Sequence, residues 1–124
     1  MRKELEKRLI NLSQKVNELC KHLDGSFLSD HLTKQIIRSS TSAALNYGEA
    51  QAAESKNDFI HKTSIVLKEL RETQINLRLL ETSTQQNEQK MNSCKDECAQ
   101  LVAIFHKTVI SAKRNKHKSP SIEN

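Results

Sequence analysis

LEKRLINLSQKVNELCKHL, Leu5 to Leu23, places Leu5, Leu9, Leu12, Val16, Leu19 and Leu23 at alternating spacings of four and three residues. At 3.6 residues per turn this rhythm gathers the six side chains onto one helical stripe, the pattern of helices packed as in coiled coils. A half-buried strand would need a period of two, which the segment lacks. The stripe stops at Asp24-Gly25-Ser26. There Gly can take the left-handed conformation that ends a helix, and Ser26 or Ser29 can cap the next one.

The same rhythm continues outward. A second helix is expected over about 29–54, with Leu32, Ile36, Ser39, Ala43, Asn46, Ala50 and Ala53 as its seam. Ser55 with Asp58 three residues on is close to a capping box, and opens a third helix over about 56–81 with the stripe Phe59, Thr63, Val66, Leu70, Thr73, Leu77 and Leu80. Polar residues 82–89 form the third connection. A fourth helix follows over about 90–114, with Met91, Cys94, Cys98, Leu101, Phe105, Thr108 and Ala112 on its inner face. The fold class is therefore all-α, an antiparallel up-down-up-down four-helix bundle over residues 1–114. Residues 115–124, NKHKSPSIEN, are too polar to pack and are expected as a disordered basic tail.

Two Gly and one Pro in 124 residues leave few places for turns or sheet. No apolar run approaches the roughly 18 residues that span a bilayer, and MRKELEKRL lacks a signal-peptide core, so a cytoplasmic protein without a membrane partner is expected. Beyond the four stripes stand Ile37, Ala44, Ile60, Ile65, Ile75, Leu79, Ile104 and Val109, more apolar surface than a lone bundle hides. A homo-oligomer is the expected remedy.

Chemistry is sparse. Asn46 on the seam of the second helix needs hydrogen-bond partners. A structural polar network of Ser42, Asn46, Glu49, Glu69 and Glu72, with Thr73 in reach, would supply them. The same glutamates could be read as paired carboxylates for acid–base work or two metals. Bundles of that kind use Glu-x-x-His pairs, and no Glu stands three residues before any of the five His. No catalytic residue, metal site or cofactor is expected. Cys20, Cys94 and Cys98 are odd in number, and Cys94 and Cys98 lie four apart rather than in a C-x₂-C pair, so buried apolar thiols are favoured over a zinc site or disulfides. Glycine-rich phosphate loops are absent from the sequence.

The charge is more informative. Twenty Lys and Arg against fifteen Asp and Glu give +5, and Lys107, Lys113, Arg114, Lys116 and Lys118 fall in one stretch without an acid. This stretch, with Lys34 and Arg38, is the candidate surface for RNA or DNA phosphates. With three Phe, one Tyr and no Trp there is little to stack unpaired bases on, so binding would be electrostatic and salt-sensitive. The competing reading is a scaffold that binds a protein, its charge serving solubility.

The segment QIIRSSTSAALNYGEAQAAESKNDFIHKTSIVLKELRETQINLRLLE adds a resemblance. Gln35, Arg38, Ser39, Ser42, Asn46 and Glu49, then Phe59, Lys62, Ile65, Leu67, Glu69 and Glu72, are similar to the core signature of the bacterial four-helix-bundle family named after the intervening sequences of large-subunit ribosomal RNA genes. That family includes the accessory variability proteins of diversity-generating retroelements. Ala43 and Ala50 depart from it, standing where a branched residue and a Gly are frequent. The resemblance implies a ring-like homopentamer with a basic surface and no attached enzymatic activity. For the retroelement members it also implies binding to nucleic acid and to a reverse transcriptase.

Overall fold

The leucine stripe folds into α1 (Arg2–Cys20) and buries Leu5, Leu9, Leu12, Val16 and Leu19. These elements are seen in a computed structural model that describes residues 2–83 and 87–116. Three further long helices follow: α2 (Phe27–Gln51), α3 (Lys56–Leu80) and α4 (Glu88–Lys116). A 3₁₀ turn, Glu81–Ser83, extends the end of α3, and there is no strand among the described residues.

The helix ends show what the sequence pattern misjudges. α1 stops at Cys20 rather than Leu23, because Lys21 N and His22 N bond back three residues to Glu18 O and Leu19 O and tighten the chain. Asp24 Oδ1 then accepts from Ser26 N at 2.9 Å and from Ser29 Oγ at 3.0 Å, an Asx-type turn that outcompetes helix. Gly25 takes φ 71°, which a side chain would oppose. Ser26 is the cap, accepting from Ser29 N, so α2 begins at Phe27, ahead of residue 29. It ends at Gln51 rather than 54, where Ala52 N and Ala53 N bond to Glu49 O and Ala50 O. Ser55 accepts from Asp58 N at 3.0 Å and starts α3. α4 runs through Asn115 and Lys116, which the sequence pattern assigned to the tail. Lys113, Arg114 and Lys116 complement the negative end of its dipole and favour the added turn. The rest of the expected tail lies outside the described residues.

Contacts along each seam run in opposite senses, so neighbouring helices are antiparallel. Arg8 meets Glu97 while Lys15 meets Ser93. Arg38 meets Glu69 while Glu49 meets Lys62. Glu81 meets Lys95 while Arg71 meets His106. Cys20 is near Thr33, and Tyr47 lies in the fields of Arg2 and Glu6. Between the diagonal helices α2 and α4, Tyr47 and Phe105 pack edge to face, centroids 5.2 Å apart at 83°. Tyr47, not Asn46, is thus the buried member of that turn. Of the extra apolar residues, Val109 is buried, Ile37, Ala44, Ile60, Ile65 and Ile104 are half-buried, and Ile75 and Leu79 are exposed.

α2 and α3 share the most extensive seam, and the small residues explain it. Ser39, Ala43 and Ala50 are buried, which lets the two backbones approach. Ser39 Oγ and Thr73 Oγ1 lie 2.7 Å apart, and each hydroxyl also reaches a carbonyl of its own helix, Ile36 O and Glu69 O. Toward the surface, Arg38 Nη1 donates to Glu69 Oε2 at 3.1 Å and Arg38 Nη2 to Glu72 Oε2 at 3.5 Å. Asn46 Nδ2 donates to Ser42 O and Ser42 Oγ on its own helix, not across to α3. Glu49 stands apart from the cluster, bound by Lys62 Nζ at 2.7 Å.

Glu69 is buried, and its Oε1 has no well-formed hydrogen bond. Burial pushes its carboxyl up, but neighbouring Glu72, Ser42 and Arg38 more than offset this and hold it below the ordinary carboxylate range. Glu72 moves the other way, raised first by Glu69 and then by burial. Glu72 is therefore the member of the pair that takes the first proton. The signs are opposite. Glu69 adds stability that is lost as pH falls through its lowered value, whereas Glu72 adds stability at low pH that is lost as pH rises through its raised one.

Two outcomes follow from this seam. In urea unfolding, Ser39→Ala and Thr73→Val are each expected to cost about 1–2 kcal/mol, and the double variant less than their sum, because each single already removes the shared Ser39–Thr73 contact. For Glu72→Gln, the Tm advantage over the parent near neutral pH is expected to shrink as pH falls through the raised range in which the parent's Glu72 gains its proton. A Tm difference that does not vary with pH would refute the shared-proton reading.

Candidate nucleic-acid interface

After Glu97, α4 carries no acid up to its end at Lys116. Lys107, Lys113, Arg114 and Lys116 all project from this half as exposed side chains, and none is in an ion pair among the described residues. Lys118 lies outside the described residues. Lys34 is exposed on α2 and apart from the α4 group, since α2 and α4 stand diagonally in the bundle. Arg38 is committed to Glu69 and Glu72, so its charge is largely compensated. What sets the second half of α4 apart is that its exposed cations have no acid beside them along the helix.

The sequence reading missed what α3 contributes beside them. Arg71 Nη2 lies 3.3 Å from His106 Nδ1, joining the exposed edge of α3 to the same half of α4. Arg78, two turns after Arg71, is also exposed without an ion pair among the described residues. The seven-residue repeat of Arg71 and Arg78 is visible in the sequence. Their juxtaposition with α4 is not, because it depends on the register between two helices.

The arginines divide by partner. Arg8 forms a fork on Glu97, Nε to Oε2 at 3.0 Å and Nη2 to Oε1 at 2.8 Å, with Gln100 Oε1 at 3.1 Å, and so ties α1 to α4. Geometry of this kind fixes a carboxylate bidentately and leaves little for a ligand. Arg8 and Arg38 are structural in this sense; Arg71 meets only an imidazole.

The remaining chemistry is muted. Burial pushes the Cys94 thiol up to about 11 and the Cys98 thiol up to about 12, and Cys98 Sγ donates to Leu70 O at 3.4 Å. Thiols so held are poor nucleophiles and poor metal ligands at neutral pH. No group of three or more His, Cys, Asp or Glu among the described residues is arranged to hold a metal ion. An open groove of about 400 Å³ runs between α1 and α4, lined by Asn11, Gln14, Lys15, Glu18, Lys90, Ser93 and Cys94. A second, of about 390 Å³, lies where the α2–α3 turn meets the end of α4. No helix among the described residues is long and apolar enough to cross a membrane.

Comparison with known proteins agrees with this architecture. The chain is similar to a solved protein with unknown function from the S23 ribosomal protein family of Bacteroides thetaiotaomicron, at 28% identity and a TM-score of 0.74, over 85% of this chain and 97% of that one. No curated protein matches it. The family model of the 23S rRNA-intervening sequence protein matches residues 3–107, a span that runs from the start of α1 into the second half of α4. This chain belongs to the 23S rRNA-intervening sequence protein family.

Proposed function

We propose that this protein is a non-enzymatic, self-associating bundle that binds RNA or DNA through phosphates. The observation that carries the reading is the acid-free half of α4, where four exposed cations stand without carboxylate partners among the described residues. A helix surface of one sign, unneutralised by its own fold, attracts a polyanion and releases its counterions. Base stacking has little part in it, since Tyr47 and Phe105 are occupied in the core, Phe59 is half-buried, and the exposed Phe27 stands at the start of α2, off the basic half of α4.

Self-association is supported by a second surface. Phe27 is 94% exposed and Leu45 69%, and Leu28, Ile75 and Leu79 are about half exposed. Leu45 stands two turns after Arg38, and Ile75 and Leu79 stand one and two turns after Glu72, so these residues share the outer face of the α2–α3 pair. A second copy covering this face would remove the apolar surface that the single bundle leaves in water. In a homopentamer, the assembly that the family resemblance implies, five copies of +5 would place about +25 on one particle. For the retroelement members of the family, the same resemblance implies a reverse transcriptase as the protein partner of such an assembly.

Binding of a fluorescent oligonucleotide, measured by anisotropy across a salt series, is expected to weaken linearly in log affinity against log salt. Changing Lys107, Lys113, Arg114 and Lys116 to Gln should reduce the slope by ~3. No binding by the parent protein at low salt would sink the reading. Sedimentation should give a multiple of the chain mass, falling toward one subunit in Leu45→Lys/Leu79→Lys. A parent protein that sediments as a single chain would refute self-association.

A further inference from the structure

We propose that Arg71 and His106 form a built phosphate-binding position at the α3–α4 seam, with Lys107 beside it, and that a phosphodiester of the bound nucleic acid is its ligand. This rests on the nucleic-acid reading above and assigns it a specific contact that the cluster at the end of α4 does not include.

The geometry argues from what Arg71 lacks. Arg8 and Arg38 each meet carboxylates, while Arg71 has no carboxylate partner among the described residues and meets only His106 Nδ1, at 3.3 Å. A guanidinium can only donate. Nδ1 must therefore be the acceptor, which places the ring proton on Nε2. The pair thus presents donors alone: the unused N–H groups of Arg71 and the Nε2–H of His106. Both side chains are exposed, and so is Lys107, the next residue on α4. Donors without an acceptor, on facing helices and next to an acid-free stretch, suit an anion with several acceptor oxygens. The guanidinium fork matches the oxygens of a phosphodiester in particular.

The contact between Arg71 and His106 also orients the site. Arg71 approaches from α3 and His106 from α4, so neither relies on a loop. One N–H of the guanidinium is fixed, which reduces the rotamer freedom lost when a phosphate binds. Arg78 provides an internal comparison. It has the same charge on the same helix, two turns away, and has no imidazole partner among the described residues.

The test is oligonucleotide anisotropy on the full chain, with circular dichroism to verify folding. Arg71→Gln is expected to weaken binding roughly five- to tenfold at low salt and to reduce the salt slope by ~1. Arg71→Lys should recover the slope but not the affinity, since it restores charge without the fork. His106→Gln should weaken binding while leaving the slope near the parent value, a response that a diffuse positive field would not give. Arg78→Gln should weaken binding less than Arg71→Gln. Parent-like binding by both Arg71→Gln and His106→Gln overturns this site and leaves the nucleic-acid reading standing. Equal losses for Arg71→Gln and Arg78→Gln overturn it also, by showing a field rather than a position. Absence of binding by the parent overturns the nucleic-acid reading and this site with it.

Discussion

Close approach of α2 and α3 is the constraint on which the rest of the molecule depends. Small buried side chains on α2, Ser39, Ala43 and Ala50, remove the bulk that would hold the helices apart. The 2.7 Å contact between Ser39 and Thr73 is possible only at that spacing. Once the seam is closed, Arg38 reaches Glu69 and Glu49 reaches Lys62, fixing the register along its length. Tyr47, brought inward on the same helix, meets Phe105 and locates α4 across the core. A wide leucine seam would bury more apolar area but would tolerate several registers. Hydrogen-bonded side chains permit one, at the cost of desolvating polar groups.

This division of labour has a consequence for charge. The charged chemistry of the middle of the chain, Arg38 with Glu69 and Glu72, is used internally, and two adjacent carboxylates share one guanidinium there. Among the described residues, exposed cations without an ion pair stand on every helix, but the second half of α4 holds its own with no acid beside them in the chain, next to Arg71 on the edge of α3. Structural polarity and candidate binding polarity are thus separated onto different seams. α2–α3 is closed by paired charges, and the basic half of α4 is left unpaired. Such separation lets a bundle keep a strong external field without destabilising its own packing.

The sequence made the stripes and caps legible because both are local. A three-four rhythm of apolar residues defines a face, and Ser26, Ser55 and Gly25 act on backbone groups within three residues of themselves. Where the reading erred, the deciding contact was less local or two local effects competed. α1 ended early because the Asp24 side chain seized Ser26 N and Ser29 Oγ. Asn46 falls on the expected rhythm of the seam, yet Tyr47 is the residue buried in that turn, and Asn46 bonds to Ser42 on its own helix. Glu49 was grouped with Glu69 and Glu72 by its chemistry, yet its position along the antiparallel seam gives it to Lys62.

What the sequence by itself determined is the four-helix architecture, the positions of its turns within a few residues, and the run of cations at its end. These follow from periodicity, capping and composition, none of which requires knowing what lies opposite. Only the tertiary structure decided which charges cancel and which stay available. Arg8, Arg38 and Arg71 are alike in sequence, but the first two face carboxylates while the third faces an imidazole. The physical reason is register: an ion pair forms over about 3–4 Å, whereas a one-turn shift between helices moves a side chain by about 5.4 Å, so partner choice is settled by packing rather than by residue type.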